Sequence, residues 1–87
     1  MVGARAQTSI TGSIKRPAGL AADDDRLYVA DNPTGRIHTF AWEGMRPGPV
    51  LETGSEALGG LAIDPSDKGW VYFTDSVDDS VGRVALE

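Results

Sequence analysis

The chain has 87 residues, 13 acidic and 8 basic, for a net charge of −5, and contains no cysteine. That length allows one small domain with a marginal core of its own, and without cysteines no disulfide can staple it, so association becomes the obvious further source of stability. The acidic balance disfavours nucleic acid and anionic membrane surfaces as partners.

Met1–Gln7 lacks the apolar core of a signal peptide, and no apolar stretch approaches the roughly 20 residues that span a bilayer. The expectation is a soluble protein whose compartment is left open. In chain order, short segments bounded by Gly, Pro, Asp or Asn read as strands: TSITGSI (8–14), GLAAD (19–23), RLYVA (26–30), GRIHTFA (35–41), GPVLETG (48–54), GLAID (60–64), WVYFT (70–74) and GRVAL (82–86). No longer segment has a 3.6-residue apolar period, so the expected class is all-β. WVYFT carries apolar groups on both faces, as a sheet covered on both sides requires.

The strands repeat. GLAAD returns as GLAID at an offset of 41, and LYVAD (27–31) as VYFTD (71–75) at 44. GRI (35–37) is matched to GRV (82–84) at 47, and TGS (11–13) to TGS (53–55) at 42. A period of about 40 residues with insertions confined to turns is that of propeller blades. Gly- and Ala-rich strands suit the place where radial sheets converge, with Tyr, Phe and Trp filling the wider gaps.

The segment RPAGLAADDDRLYVADNPTGRIHTF resembles an NHL repeat, and GGLAIDPSDKGWVYFTDSVDDSVGRVAL is similar to the same family and to YWTD and strictosidine-synthase-like repeats. The resemblance implies four-stranded antiparallel blades. On that pattern residues 17–55 form a first blade, 58–87 form a second lacking its outer strand, and 8–14 is an orphan outer strand within a single two-blade unit, 1–87. The frame is permuted, so the expectation is that 8–14 is donated to a neighbouring copy and that oligomerisation closes the propeller. Propellers of the resembled families are typically six-bladed, which implies a homotrimer, with a four-bladed dimer and an eight-bladed tetramer as the alternatives.

Candidate sites follow from the turns. Asp31 with Arg36, and Asp75 with Arg83, are expected to form structural pairs between adjacent strand ends. Connections at one end of the blades would gather Lys15, Arg16, Asn32, Glu56, Asp78 and Asp79 into a binding face. Asp75, Asp78 and Asp79 carry the oxygen ligands that calcium takes but lack a calcium-loop spacing, so a solvated turn is expected and no cofactor. Asp23–Asp25 reads as a turn, His38 as a partly exposed structural residue, and Trp42 and Trp70 as packing between blades. No nucleophile lies beside an identifiable base. The expected function is a non-catalytic, self-assembling propeller scaffold or binding module, with an engineered or excised fragment of a larger NHL-like propeller left open as its origin; the alternative is a subunit of a metal-dependent hydrolase, lactonase-like or strictosidine-synthase-like, with an axial metal.

Overall fold

The computed structural model describes residues 14–64 and 66–86, with the backbone alone at 67 and 68. The strand expected at 8–14 lies, apart from Ile14, outside the described residues. The rest of the chain is all-β. β1 (Pro17–Ala22), β2 (Arg26–Asp31), β3 (Arg36–Ala41) and β4 (Arg46–Glu52) form one antiparallel sheet in sequence order, and β5 (Leu58–Asp64), β6 (Asp67–Asp75) and β7 (Ser80–Ala85) form a second. A single 3₁₀ turn, Glu43–Met45, joins β3 to β4, with Gly44 and Met45 both at positive φ.

The turns carry the chemistry expected of their residues. The Asp23 carboxylate accepts the amides of Asp25 and Arg26 at 2.8 Å each, an Asx-type turn that closes β1 onto β2. Asp64 does the same before β6, accepting the amide and hydroxyl of Ser66 at 2.9 and 2.7 Å. Between β2 and β3 the chain turns at Gly35, whose φ of 71° is left-handed and favours glycine.

The middle strands are buried on both faces, over residues 28–31 and 37–40, and one of those faces makes the contact between the sheets. Tyr28 and Ala30 on β2, Ile37 on β3 and Leu51 on β4 pack against Leu58 on β5 and Val71 on β6. Ala21, Leu61, Ile63, Phe73, Val84 and Leu86 surround them, partly buried. Each fully buried large side chain here contributes about 1.5–3 kcal/mol. The sheets come closest where β1 lies against β5. A Cβ on Gly19 would collide there with the carbonyl oxygen of Gly59, so the small residues of these strands permit main chain to meet main chain.

The two sheets share one register. Leu20 pairs with Val29 as Leu61 pairs with Phe73, Ala21 with Tyr28 as Ala62 with Tyr72, and Ala22 with Leu27 as Ile63 with Val71. The third strands correct the sequence alignment. Asp31 pairs with Arg36 and Ala30 with Ile37; Asp75 pairs with Ser80 and Thr74 with Val81. Ile37 therefore corresponds to Val81, not to Val84, and the offset stays at 44. Residues 32–35 and 76–79 are turns of equal length, and that length, not the shared Gly-Arg letters, sets the register. Gly82 occupies the place of His38, and the Phe73 ring lies across it: a Cβ there would sit 2.6 Å from Cζ.

Candidate binding face

One end of the two sheets is built from residues 14–16, the β2–β3 turn, the β4–β5 connection and the β6–β7 turn. Backbone bonds lace these segments together. The Asn32 amide donates to the Arg16 carbonyl at 2.9 Å, and in the second sheet the Ser76 amide donates to Ala57 at 3.2 Å. Asn32 also crosses between the sheets, its side-chain amide donating to the Leu58 carbonyl at 3.0 Å. Thr53 donates to the Gly35 carbonyl through its amide (2.9 Å) and its hydroxyl (2.7 Å), tying the end of β4 to the first turn.

Two buried carboxylates anchor this end. Asp31 is fully buried and accepts the Arg16 amide at 3.0 Å and the Thr34 hydroxyl at 3.1 Å. Burial pushes its pKa up, yet the amides of Arg16 and Lys15, the Thr34 hydroxyl and the His38 ring hold the carboxyl below the usual range. Asp75 accepts the amides of Val77 and Asp78 at 3.0 and 3.1 Å. The Asp78 amide and the Ser55 hydroxyl keep its carboxyl low against the opposing effect of burial, with help from the Val77 amide.

The expected charge pairs resolve differently. Asp31 and Arg36 are register partners across β2–β3, but the exposed guanidinium turns to Glu52, with Nε 3.0 Å from Oε2, while the carboxylate turns inward. Arg83 is partnered with Tyr72, not with Asp75, and its guanidinium carbon lies 3.8 Å from the centroid of the Trp70 ring. Trp70 thus stacks on a cation of its own sheet. Trp42 is exposed beside the 3₁₀ turn, and its Nε1 donates to the Asp23 carbonyl at 2.8 Å, so neither tryptophan packs between the sheets as the sequence suggested. His38, expected to be partly exposed, is buried, with Nε2 3.6 Å from Oδ2 of Asp31.

Of the expected face residues, Arg16 and Asn32 meet through the backbone bond above. Glu56 and Asp78 line one polar hollow of about 150 Å³ with Gly54, Asp75 and Val77. Asp79 sits beside it at a φ of 51°. Lys15 contributes its amide to the surroundings of Asp31. The inter-sheet bond of Asn32 was missed in the sequence; its only signal is the Asn immediately after the YVAD strand. Among the described residues no group of three or more His, Asp or Glu side chains is placed to hold a metal ion, and no helix is long and apolar enough to cross a membrane.

Comparison with known proteins fits this architecture. No curated protein matches the chain. Residues 15–40, running from the anchoring segment before β1 almost to the end of β3, match the NHL repeat family. Residues 15–40 are thus similar to an NHL repeat, and the two antiparallel sheets, of four and three strands, are consistent with a propeller fragment.

Proposed function

We propose that the protein is a non-catalytic propeller module that assembles from copies of itself, head to tail, and presents the loop end as a binding face. One observation carries the reading: the two sheets share a register, yet β5–β7 has three strands where β1–β4 has four, and the outer edge of β7 is unpaired among the described residues. An open edge is a template for another strand. The TGS at 11–13 repeats the TGS that follows β4 at 53–55, so the residues leading up to it in one copy stand where β4 does and would supply a fourth strand along β7 of the next. Two blades per copy and the six-bladed habit of the resembled families give a homotrimer.

The non-catalytic part rests on the site's chemistry. His38, the one histidine, is buried on β3 beside Asp31. The Ser55 hydroxyl accepts the Ala57 amide at 3.2 Å and serves Asp75, a structural use. Lys15, Arg16, Asn32, Glu56, Asp78 and Asp79, repeated in each copy around the loop end, form the binding face.

Light scattering on the purified chain at micromolar concentration tests the assembly. The expected mass is three times the 9.2 kDa of one chain, and removal of residues 1–14 abolishes the defined oligomer. A particle of 9.2 kDa refutes it.

A further inference from the structure

Every residue of Thr53-Gly54-Ser55 has a task where the first sheet passes into the second. The Thr53 hydroxyl donates to the Gly35 carbonyl at 2.7 Å and accepts the Ser55 amide at 3.0 Å. Gly54 turns the chain at a φ of 76°, a left-handed value that favours glycine. Ser55 is buried; its hydroxyl accepts the Ala57 amide at 3.2 Å and holds the Asp75 carboxylate. The tripeptide is a latch, with threonine on the β2–β3 turn of one sheet and serine on the carboxylate of the next.

The same three residues stand at 11–13, ahead of β1. The chain that follows them is seated on the first sheet as the chain after Ser55 is seated on the second. The Arg16 carbonyl accepts the Asn32 amide at 2.9 Å, as the Ala57 carbonyl accepts the Ser76 amide at 3.2 Å. Asp31 adds a second hold, accepting the Arg16 amide at 3.0 Å. No sheet precedes β1 among the described residues, so no turn equivalent to the one held by Thr53 lies on that side.

The second sheet has such a turn to offer. Asp79 stands where Gly35 does, one residue before the third strand, and is left-handed too, at a φ of 51° against 71°. Thr53 donates twice to the Gly35 carbonyl, whereas the exposed Asp79 carbonyl, at the start of the unpaired edge of β7, receives no donor among the described residues. A Cβ at Gly35 would strike the Ser55 carbonyl oxygen, and Asp79 carries a Cβ. Two residues separate Ser13 from Arg16 where one separates Ser55 from Ala57, and the added residue gives the chain room to step past it.

We propose that Thr11 of one copy latches the β6–β7 turn of a second, its amide and hydroxyl donating to the Asp79 carbonyl, while Arg16 stays bound to Asp31 of its own chain. The contact is head to tail, since each copy gives a threonine and receives one at a different place. This rests on the self-assembly reading and names the residues that fasten the copies at the loop end. Thr11 then does between chains what Thr53 does within one.

The chain has no cysteine, so a pair introduced at the two positions reads their distance directly. Residues bonded in this way stand within the roughly 4.4–6.8 Å between Cα atoms that a disulfide spans. The full chain carrying Thr11→Cys and Asp79→Cys is oxidised and run on a non-reducing gel beside Thr11→Cys with Ser66→Cys, which puts the second thiol in the exposed β5–β6 turn at the opposite end of the sheets. T11C/D79C is expected to give covalent oligomers that close at three chains, well above the T11C/S66C control, and an equimolar mixture of T11C and D79C to give a one-to-one heterodimer. Thr11→Val, followed by light scattering on dilution and by far-UV circular dichroism, is expected to keep the β spectrum and to dissociate at about three- to tenfold higher concentration, the worth of one hydrogen bond. With an assembled native chain, three results each overturn the latch and leave self-assembly standing: a disulfide confined to single chains, cross-linking no greater than in the control, or T11V dissociating at the native concentration. A native chain of 9.2 kDa overturns both.

Discussion

The phenolic hydroxyl of Tyr28 donates to Oδ2 of Asp23 at 2.8 Å, joining the middle of β2 to the turn that precedes it. Tyr28 is fully buried, and burial together with the Asp23 bond and charge raises its pKa from 10.0 to about 12. A folded-state pKa above the unfolded value contributes stability that is complete below about pH 10 and lost as pH rises toward the folded value. The alkaline limb of the melting curve is therefore expected to fall between pH 10 and 12. In Tyr28→Phe that limb disappears, at a cost near neutral pH of about 1 kcal/mol for the lost hydrogen bond. Thermal melts across pH 8–12 check it.

The carboxylates act at the other end of the scale. Asp31, Asp64 and Asp75 all titrate below the ordinary value of 3.8. Depressed groups contribute stability that is present above the unfolded pKa and lost as pH falls through the folded one. The chain is expected to hold its stability down to about pH 4 and lose it below. Asp31→Asn and Asp75→Asn each flatten the acid limb, measured by denaturant titration from pH 6 to 2.

Gly35 combines a φ of 71° with a Cβ position blocked by the Ser55 carbonyl. Gly35→Ala is expected to cost at least about 1–2 kcal/mol from the left-handed backbone alone, and more from the displaced β4–β5 connection. The same change at Gly54 (φ 76°), where nothing lies within 4 Å, isolates the backbone part. The difference in denaturation midpoint between the two variants measures the clash.

Leu58 opens β5 at full burial between the sheets. Leu58→Ala is expected to destabilise by roughly 2–5 kcal/mol, transfer and cavity together. Urea unfolding monitored by tryptophan fluorescence reads it.

Arg83 stacks on Trp70 at an exposed site, where such contacts are worth about 0.5–1 kcal/mol. A double-mutant cycle over Arg83 and Trp70 is expected to return a coupling of that size, and one over Arg83 and Asp75 a coupling near zero.

That last contrast marks where the sequence stops being readable. Strand identity was legible because each of GLAAD, RLYVA, GRIHTFA and WVYFT is short, apolar and fenced by turn formers, and the Asp23 turn declared itself through three successive aspartates. The repeat gave the division into two sheets. Side-chain partners were not legible, because a period of two places Asp31 beside Arg36 but says nothing of whether the guanidinium turns to that carboxylate or to Glu52 on the next strand. The third-strand offset misled for a related reason: Gly-Arg at 35–36 and at 82–83 are the same letters at different depths in their strands. His38 looked polar and therefore outlying; its burial depends on a sheet face that one strand's pattern does not reveal. The loop-end residues lie on connections of even parity, which share an end of the sheets, while the inter-sheet reach of Asn32 needed coordinates.

The meeting of β1 and β5 has one more consequence. Where two peptide backbones touch without side chains between them, their separation is fixed by bond lengths and atomic radii instead of by how well a cavity is filled. Sheets that meet on such a seam keep a constant separation however their interior drifts, so mutation can soften the filling without changing how far apart the two sheets stand.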